Sequence, residues 1–194
     1  MAPPHAIISL PPGGSLPTDS AYFLKSPRLG FRTWTMADAP LALSLWGNLE
    51  VTRTFGGPFT ESQILERLAH EIANQLTHKL QYWPVFLSDN VELAGCCGLR
   101  PYKTGKQIFE LGFHFLPQFW GKGLATEAAQ AVVAYAFGPL HLKGLFAGHH
   151  PENAASKRVL EKLGFRYTHD ELYAPTGLMN PSYFLAPPSS NAPK

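Results

Sequence analysis

At 194 residues the chain has the length of one domain with a sizeable core, and two domains would be cramped. Its composition is that of an ordinary globular protein, 45% hydrophobic and 15% charged, and a net charge of +2 without any run of Lys or Arg argues against a nucleic-acid partner. No apolar stretch approaches the roughly 20 residues of a membrane-spanning helix, and Ala6-Ile7-Ile8-Ser9-Leu10 is too short and Pro-bounded for a secretory signal core.

The only cysteines are Cys96 and Cys97. Neighbours on a strand point to opposite faces, so no disulfide between them is expected, and the setting this suggests is reduced and cytoplasmic.

Residues 1–27, rich in Pro, Gly and Ser, read as an N-terminal arm that could dock through Tyr22, Phe23 and Leu24. Leu29 to Trp34 alternates as a strand does. Thr35 and Asp38 have capping-box spacing ahead of a short helix carrying Ala42, Leu45 and Trp46. Val51 to Phe59 reads as a Gly/Pro loop. Thr60 and Gln63 cap a second helix, with Leu65, Leu68, Ile72 and Leu76 expected on its buried side. Tyr82 to Leu87 and Val91 to Leu99 are strands joined in a hairpin at Ser88-Asp89-Asn90, and Pro101 to Lys106 is a polar turn. Ile108 to Leu116 completes an expected antiparallel meander; Glu110 is its only charge.

Pro117 ends that strand, and Gln118-Phe119-Trp120-Gly121-Lys122-Gly123 leads into a helix. Leu124, Ala128, Ala131, Val132 and Tyr135 fall on one face of it, and Gly138-Pro139 stops it. His141 to His149 reads as a strand parallel to 108–116 across this crossover. Asn153 caps a further helix with Ser156, Val159, Leu160 and Leu163 on one side, and Gly164 ends it. Phe165 to His169 and Ser182 to Ala186 are the last strands, and 187–194 is expected to be a disordered tail. No internal repeat is visible.

A glycine-bearing turn at a helix N-terminus suits an anion, because the first turn has unpaired N–H groups and a partial positive charge. Lys122 would add a full charge. The plainer alternative is a turn in which Gly121 and Gly123 merely supply unusual dihedrals. The segments downstream of the turn weigh for the first. Gln-x-x-Gly-x-Gly, a helix, a strand, and Asn153-x-x-Ser156 ahead of Arg158-Val159-Leu160-Glu161-Lys162-Leu163-Gly164-Phe165 resembles the GNAT superfamily of acyl-CoA-dependent N-acetyltransferases, nearest to its RimJ/RimL-like type. Trp34-Thr35-x-x-Asp38-Ala39 after a first strand is similar too, and the resemblance covers 28–186.

The resemblance implies an α/β (α+β) fold: a mixed, mostly antiparallel sheet with a splayed parallel strand pair and helices on both faces. It implies acetyl-CoA as acyl donor; no Cys/His spacing supports a metal, and none is expected. Phe113, His114 and Phe115 would give main-chain contacts to the pantetheine arm, and an N–H near Phe115 would meet the thioester oxygen. Gln118, Gly121, Lys122, Gly123, Leu124 and Ala125 would form the pyrophosphate loop. Asn153 would contact the coenzyme, or act as an N-cap only.

Glu110 holds the position of the RimJ/RimL-like glutamate and would be the general base; the alternative is a salt-bridged carboxylate. Ser156 is a catalytic candidate, with a purely capping role as its alternative, and Leu160 stands where many relatives have a tyrosine acid. Arg53, Phe55, Phe59 and Trp83 are candidates for the acceptor pocket.

An α-amine, with a pKa of about 7.7–8.0, needs far less help than a lysine, which requires about 4–5 kcal/mol to be neutral at pH 7. A single carboxylate therefore suits a weakly basic acceptor, a protein N-terminus or a small molecule. The rival readings are a metabolite or antibiotic acetyltransferase and a catalytically silent acyl-CoA sensor. A monomer or a homodimer fits equally.

Overall fold

The computed structural model describes residues 22–188; most of the predicted arm, up to residue 21, and the tail from 189 lie outside the described residues. The chain runs β1 (Leu24–Lys25), β2 (Leu29–Phe31), α1 (Ala39–Trp46), α2 (Leu49–Thr52), α3 (Glu61–His78), β3 (Tyr82–Leu87), β4 (Leu93–Lys103), β5 (Ile108–Phe115), α4 (Leu124–Phe137), β6 (Gly144–Gly148), α5 (Ala154–Lys162), β7 (Arg166–Tyr173) and β8 (Leu178–Leu185). The strands form one sheet in the order β1-β2-β3-β4-β5-β6-β8-β7. Every neighbouring pair is antiparallel except β5 and β6, joined in parallel through α4.

Local sequence explains the helix starts. The Thr60 hydroxyl accepts the Gln63 N–H at 3.3 Å while the Gln63 amide oxygen accepts the Thr60 N–H at 2.9 Å. Such a cap contributes about 1 kcal/mol. Asp38 closes the equivalent box with the Thr35 N–H at 2.8 Å and is itself gripped by both terminal nitrogens of Arg32. The expected 51–59 loop begins later than its sequence suggests. Asn48 accepts the N–H groups of Glu50 and Val51 and so turns Val51 and Thr52 into the short helix α2.

The register assigns side chains to faces. Tyr82 pairs with Gly98 and Gly98 with Gly112; Cys96 pairs with His114, and Arg100 with Glu110. Cross-strand partners share a face, so these residues form one surface. Trp83, Cys97, Leu99 and Leu111 take the other, where α4 packs its Leu124, Ala128 and Val132. That side is the main apolar core, each large side chain worth about 1.5–3 kcal/mol of burial.

On the first face lies α3, rotated from its expected orientation. Its buried line is Ile64, Leu68, Glu71 and Asn74, and Leu76 is 70% exposed. Glu71 sits among core positions because a partner on β4 neutralises it.

Candidate active site

The sheet fails to close at one place, and a cleft lies there. β5 and β6 pair at Ile108↔Gly144, Phe109↔Leu145 and Glu110↔Phe146, and there the pairing stops. From Leu111 to Phe115, β5 is bonded to β4 alone, while Ala147 and Gly148 are bonded to β8 alone. The strands therefore part directly after Glu110, leaving main-chain groups of β5 without a sheet partner on that side. A cleft of about 290 Å³ opens at this point, walled by β5, β6, α3, the start of α5 and the β7–β8 hairpin.

Glu110 stands at the apex, half-buried. Burial raises its carboxyl above the ordinary 4.5, and Arg100, the Tyr82 hydroxyl and Arg67 pull it partly back. Tyr82 reaches this place because Gly112 lacks a side chain: a Cβ there would stand 2.2 Å from the phenol ring. Burial, with the Glu110 charge next, keeps that phenol protonated.

Arg100 lies over the Tyr82 ring at 4.1 Å and forms a two-nitrogen ion pair with Glu71, whose side chain has no exposed surface. The same carboxylate accepts the Tyr82 N–H at 2.9 Å. Burial opposes the Arg100 charge, but Glu71 with Tyr82 and Glu110 together outweigh it, so its pKa is raised.

His114 stacks on Phe55 with centroids 4.2 Å apart, and its Nδ1 accepts the Trp46 indole N–H at 3.4 Å. Burial, then Arg67 and Arg100, hold its pKa well below 6.5. The ring is neutral, with its proton on Nε2 as this bonding assigns it. Arg67, from α3, completes the wall between the rings of Trp46 and Phe55, at 5.0 and 5.3 Å.

At the sheet's end, Trp120 donates its indole N–H to the Phe115 carbonyl at 2.6 Å, anchoring the turn that enters α4. Gly121 and Gly123 have φ of +73° and +76°, the left-handed region that glycine adopts without strain. Gly123 caps α4 without a side chain, and among the described residues the N–H groups of Leu124, Ala125 and Thr126 have no acceptor. Free N–H groups at an exposed helix start suit a phosphate group, so the loop fits the diphosphate of a coenzyme.

Arg28 braces this loop from the bend between β1 and β2. It donates to the Lys122 carbonyl at 3.1 Å and pairs with Glu127 at 2.6 Å, while Ser26 donates to Glu127 at 2.7 Å.

The structure brings Glu110, Phe113, His114, Asn153, Ser156 and Phe55 together around the cleft. Asn153 accepts the Ser156 N–H at 3.0 Å, so its oxygen is an N-cap, and Leu160 is buried beneath. Gln118, Gly121, Lys122 and Gly123 are exposed on the loop, Ala125 is half-buried, and Leu124 and Phe115 anchor in the core. Arg53 is exposed and does not line the cleft; Phe59 touches it only through Phe55, at 5.7 Å.

Trp83 also lies outside the cleft. It is 1% exposed, packed on Phe23 and Tyr135, because its odd position on β3 faces α4. Tyr82, its neighbour, is the residue that faces the cleft. His149 and His150 are used separately: His149 Nδ1 donates to the His150 carbonyl at 2.8 Å, and His150 Nδ1 accepts the Glu152 N–H at 3.2 Å. Among the described residues no cluster of His, Cys, Asp or Glu is placed to hold a metal ion.

Arg67, Glu71, Tyr82 and Arg100 are not singled out by the sequence alone. The available signal was Glu71 at the i+7 position from Ile64, a charge on an otherwise apolar stripe.

Residues 28–166 match the model of the acetyltransferase (GNAT) domain. The chain is 31% identical over 145 residues to YoaA of Bacillus subtilis, an uncharacterized N-acetyltransferase, covering 74% of this chain and 82% of that protein. Its structure is similar to a GNAT-family acetyltransferase from Bacillus anthracis, with TM-score 0.73, 26% identity, and coverage of 84% of this chain and 97% of the other. RimL, a ribosomal L7/L12 α-N-protein acetyltransferase, shares the fold at TM-score 0.73 and 15% identity, covering 89% of this chain and 99% of its own.

Proposed function

The chain belongs to the GNAT acetyltransferase family, and on that premise we propose that it transfers an acetyl group from acetyl-CoA to a primary amine, with Glu110 as general base. The observation that carries this reading is a carboxylate of raised pKa at the point where the parallel strands part. The coenzyme, when bound, supplies an acyl group activated as a thioester. The remaining work falls to the protein.

The α4 loop would bind the diphosphate through the N–H groups of Gly123, Leu124 and Ala125, with Lys122 at the rim and Gln118 beside it. Main-chain groups of Phe113, His114 and Phe115 on the open side of β5 would hold the pantetheine arm. Asn153 and Ser156, at the start of α5, face the same channel. An N–H of β5 near Phe115 would support the developing oxyanion.

Glu110 would take the proton of the attacking amine, directly or through water. Its raised pKa brings the carboxylate nearer to that of an amine than an exposed glutamate would be, which strengthens it as a base. A thiol leaving group of ordinary acidity requires no dedicated acid, consistent with Leu160 at the position of the family tyrosine. The acceptor is an α-amine or a similarly weakly basic amine, on a protein N-terminus or a small molecule, and the RimJ/RimL-like reading of the sequence belongs to the first of these.

Thiol release from acetyl-CoA with a panel of amines tests the proposal. Glu110→Gln should lower kcat/KM at neutral pH by about 10²–10⁴-fold while acetyl-CoA still binds. Full activity in that variant would remove Glu110 as base. Tight coenzyme binding with no turnover on any amine would instead identify a sensor.

A further inference from the structure

Arg67 packs between aromatic rings, yet its N–H donors have no evident structural task. Its guanidinium lies between two aromatic faces, which hold a cation but accept no ordinary N–H hydrogen bond. Its Nε is buried without a hydrogen-bond partner among the described residues, and the side chain lines the cleft. A desolvated cation with unused donors is costly, and native proteins keep few of them unless something binds there. Burial and the neighbouring Arg100 both depress its pKa, so the place favours the arrival of negative charge.

The carboxylates nearby are committed. Glu71 is taken by Arg100 and the Tyr82 N–H, and Glu110 is required for the acceptor nitrogen. Two guanidinium charges then face one fixed carboxylate, Glu71, and a second, Glu110, that is neutralised when it takes the acceptor's proton. From that step on one negative charge is lacking. The coenzyme diphosphate does not supply it, because its loop at 121–125 does not line this wall.

We infer that Arg67 binds a carboxylate of the acceptor, so that the molecule acetylated is an amino acid or another amine bearing a carboxylate. This rests on acetyl transfer at Glu110 and narrows its substrate class. The planar guanidinium offers two parallel N–H groups to the acid, while Glu110, lining the same cleft, receives the amine.

The test compares amino acids with their carboxamides as acceptors for the full chain, by thiol release. Carboxamides have the more easily deprotonated amine, so intrinsic reactivity favours them and a preference for acids must come from the protein. Acids are expected to exceed amides in kcat/KM by about 10- to 100-fold. In Arg67→Met that ratio should collapse towards one, with the KM for acetyl-CoA unchanged and thermal stability equal or higher, since a desolvated charge is gone. Arg67→Lys, which keeps the charge and not the fork, should retain part of the ratio, and it decides the matter if the Met variant does not fold.

Amides accepted as well as acids by the wild type, or both acceptors weakened alike in Arg67→Met or Arg67→Lys, would overturn the inference. A raised KM for acetyl-CoA instead would assign Arg67 to the coenzyme. Turnover without acid preference removes this inference alone; no turnover on any amine removes the proposed function with it.

Discussion

Replacing Glu71 by glutamine should both weaken the fold and retune Glu110, the proposed base. The carboxylate takes Arg100 Nε at 3.0 Å, a terminal nitrogen of the same guanidinium, and the Tyr82 N–H at 2.9 Å. Glutamine keeps the shape and one acceptor oxygen but not the charge, leaving Arg100 beside Arg67 without a counter-ion. Removing one partner of a buried pair costs about 3–5 kcal/mol. The Arg100 side chain retains 20% exposure, so some hydration survives and the lower end applies. For a domain of this size, about 3 kcal/mol is a fall in Tm of roughly 6–12 °C.

A Glu71→Met/Arg100→Met double variant should recover much of that loss, since an apolar pair replaces an ionic one. The second effect is on pH dependence. Glu71 is one of the charges that raise Glu110, so removing it lowers the Glu110 pKa. In the proposed mechanism activity requires ionised Glu110 and is lost as pH falls through that pKa; the acidic limb of kcat/KM should therefore move to lower pH. Thermal or urea unfolding reads the first effect and a pH–rate profile the second. A Glu71→Gln variant with wild-type Tm, or with its acidic limb displaced upward, would refute this reasoning.

Arg28→Ala should leave stability within about 1 kcal/mol, because the residue is half exposed, yet raise the KM for acetyl-CoA by about 3- to 10-fold as the loop loosens. Steady-state kinetics check it; an unchanged coenzyme KM would mean that the Lys122 carbonyl needs no brace. Cys96 and Cys97 are both fully buried, and burial pushes the Cys96 thiol up to about 12. Neither should react with a disulfide reagent at pH 8 in the native protein, and both should react in urea. Rapid labelling of the folded chain would contradict the packing around His114.

Features set by near neighbours in sequence could be read directly. The Thr60–Gln63 box, the Gly121–Gly123 turn and the Asn153 cap depend on residues within a few positions, as does the apolar stripe of α4. The parting of β5 and β6 is legible only through the family resemblance, because nothing in Leu111 to Phe115 states that a pairing ends.

The charged wall was hidden for another reason. Glu71 and Arg100 are 29 residues apart and meet only once α3 lies across the sheet. Burial of Glu71 then shifts the buried line of that helix, keeping Leu68 inside and turning Leu76 outward. Strand parity hid the rest: Trp83 and Tyr82 are adjacent, and the Gly98–Gly112 row decides which enters the cleft.

The gap after Glu110 makes the sheet an unfinished ladder. An extended, amide-bearing molecule laid into the gap would act as a borrowed rung, meeting the same N–H and C=O groups that a ninth strand would have met. Recognition of such a guest is therefore indifferent to the side chains of β5. With the acyl donor as that guest, as proposed, drift in those side chains would alter which acceptor is served while the grip on the donor persisted.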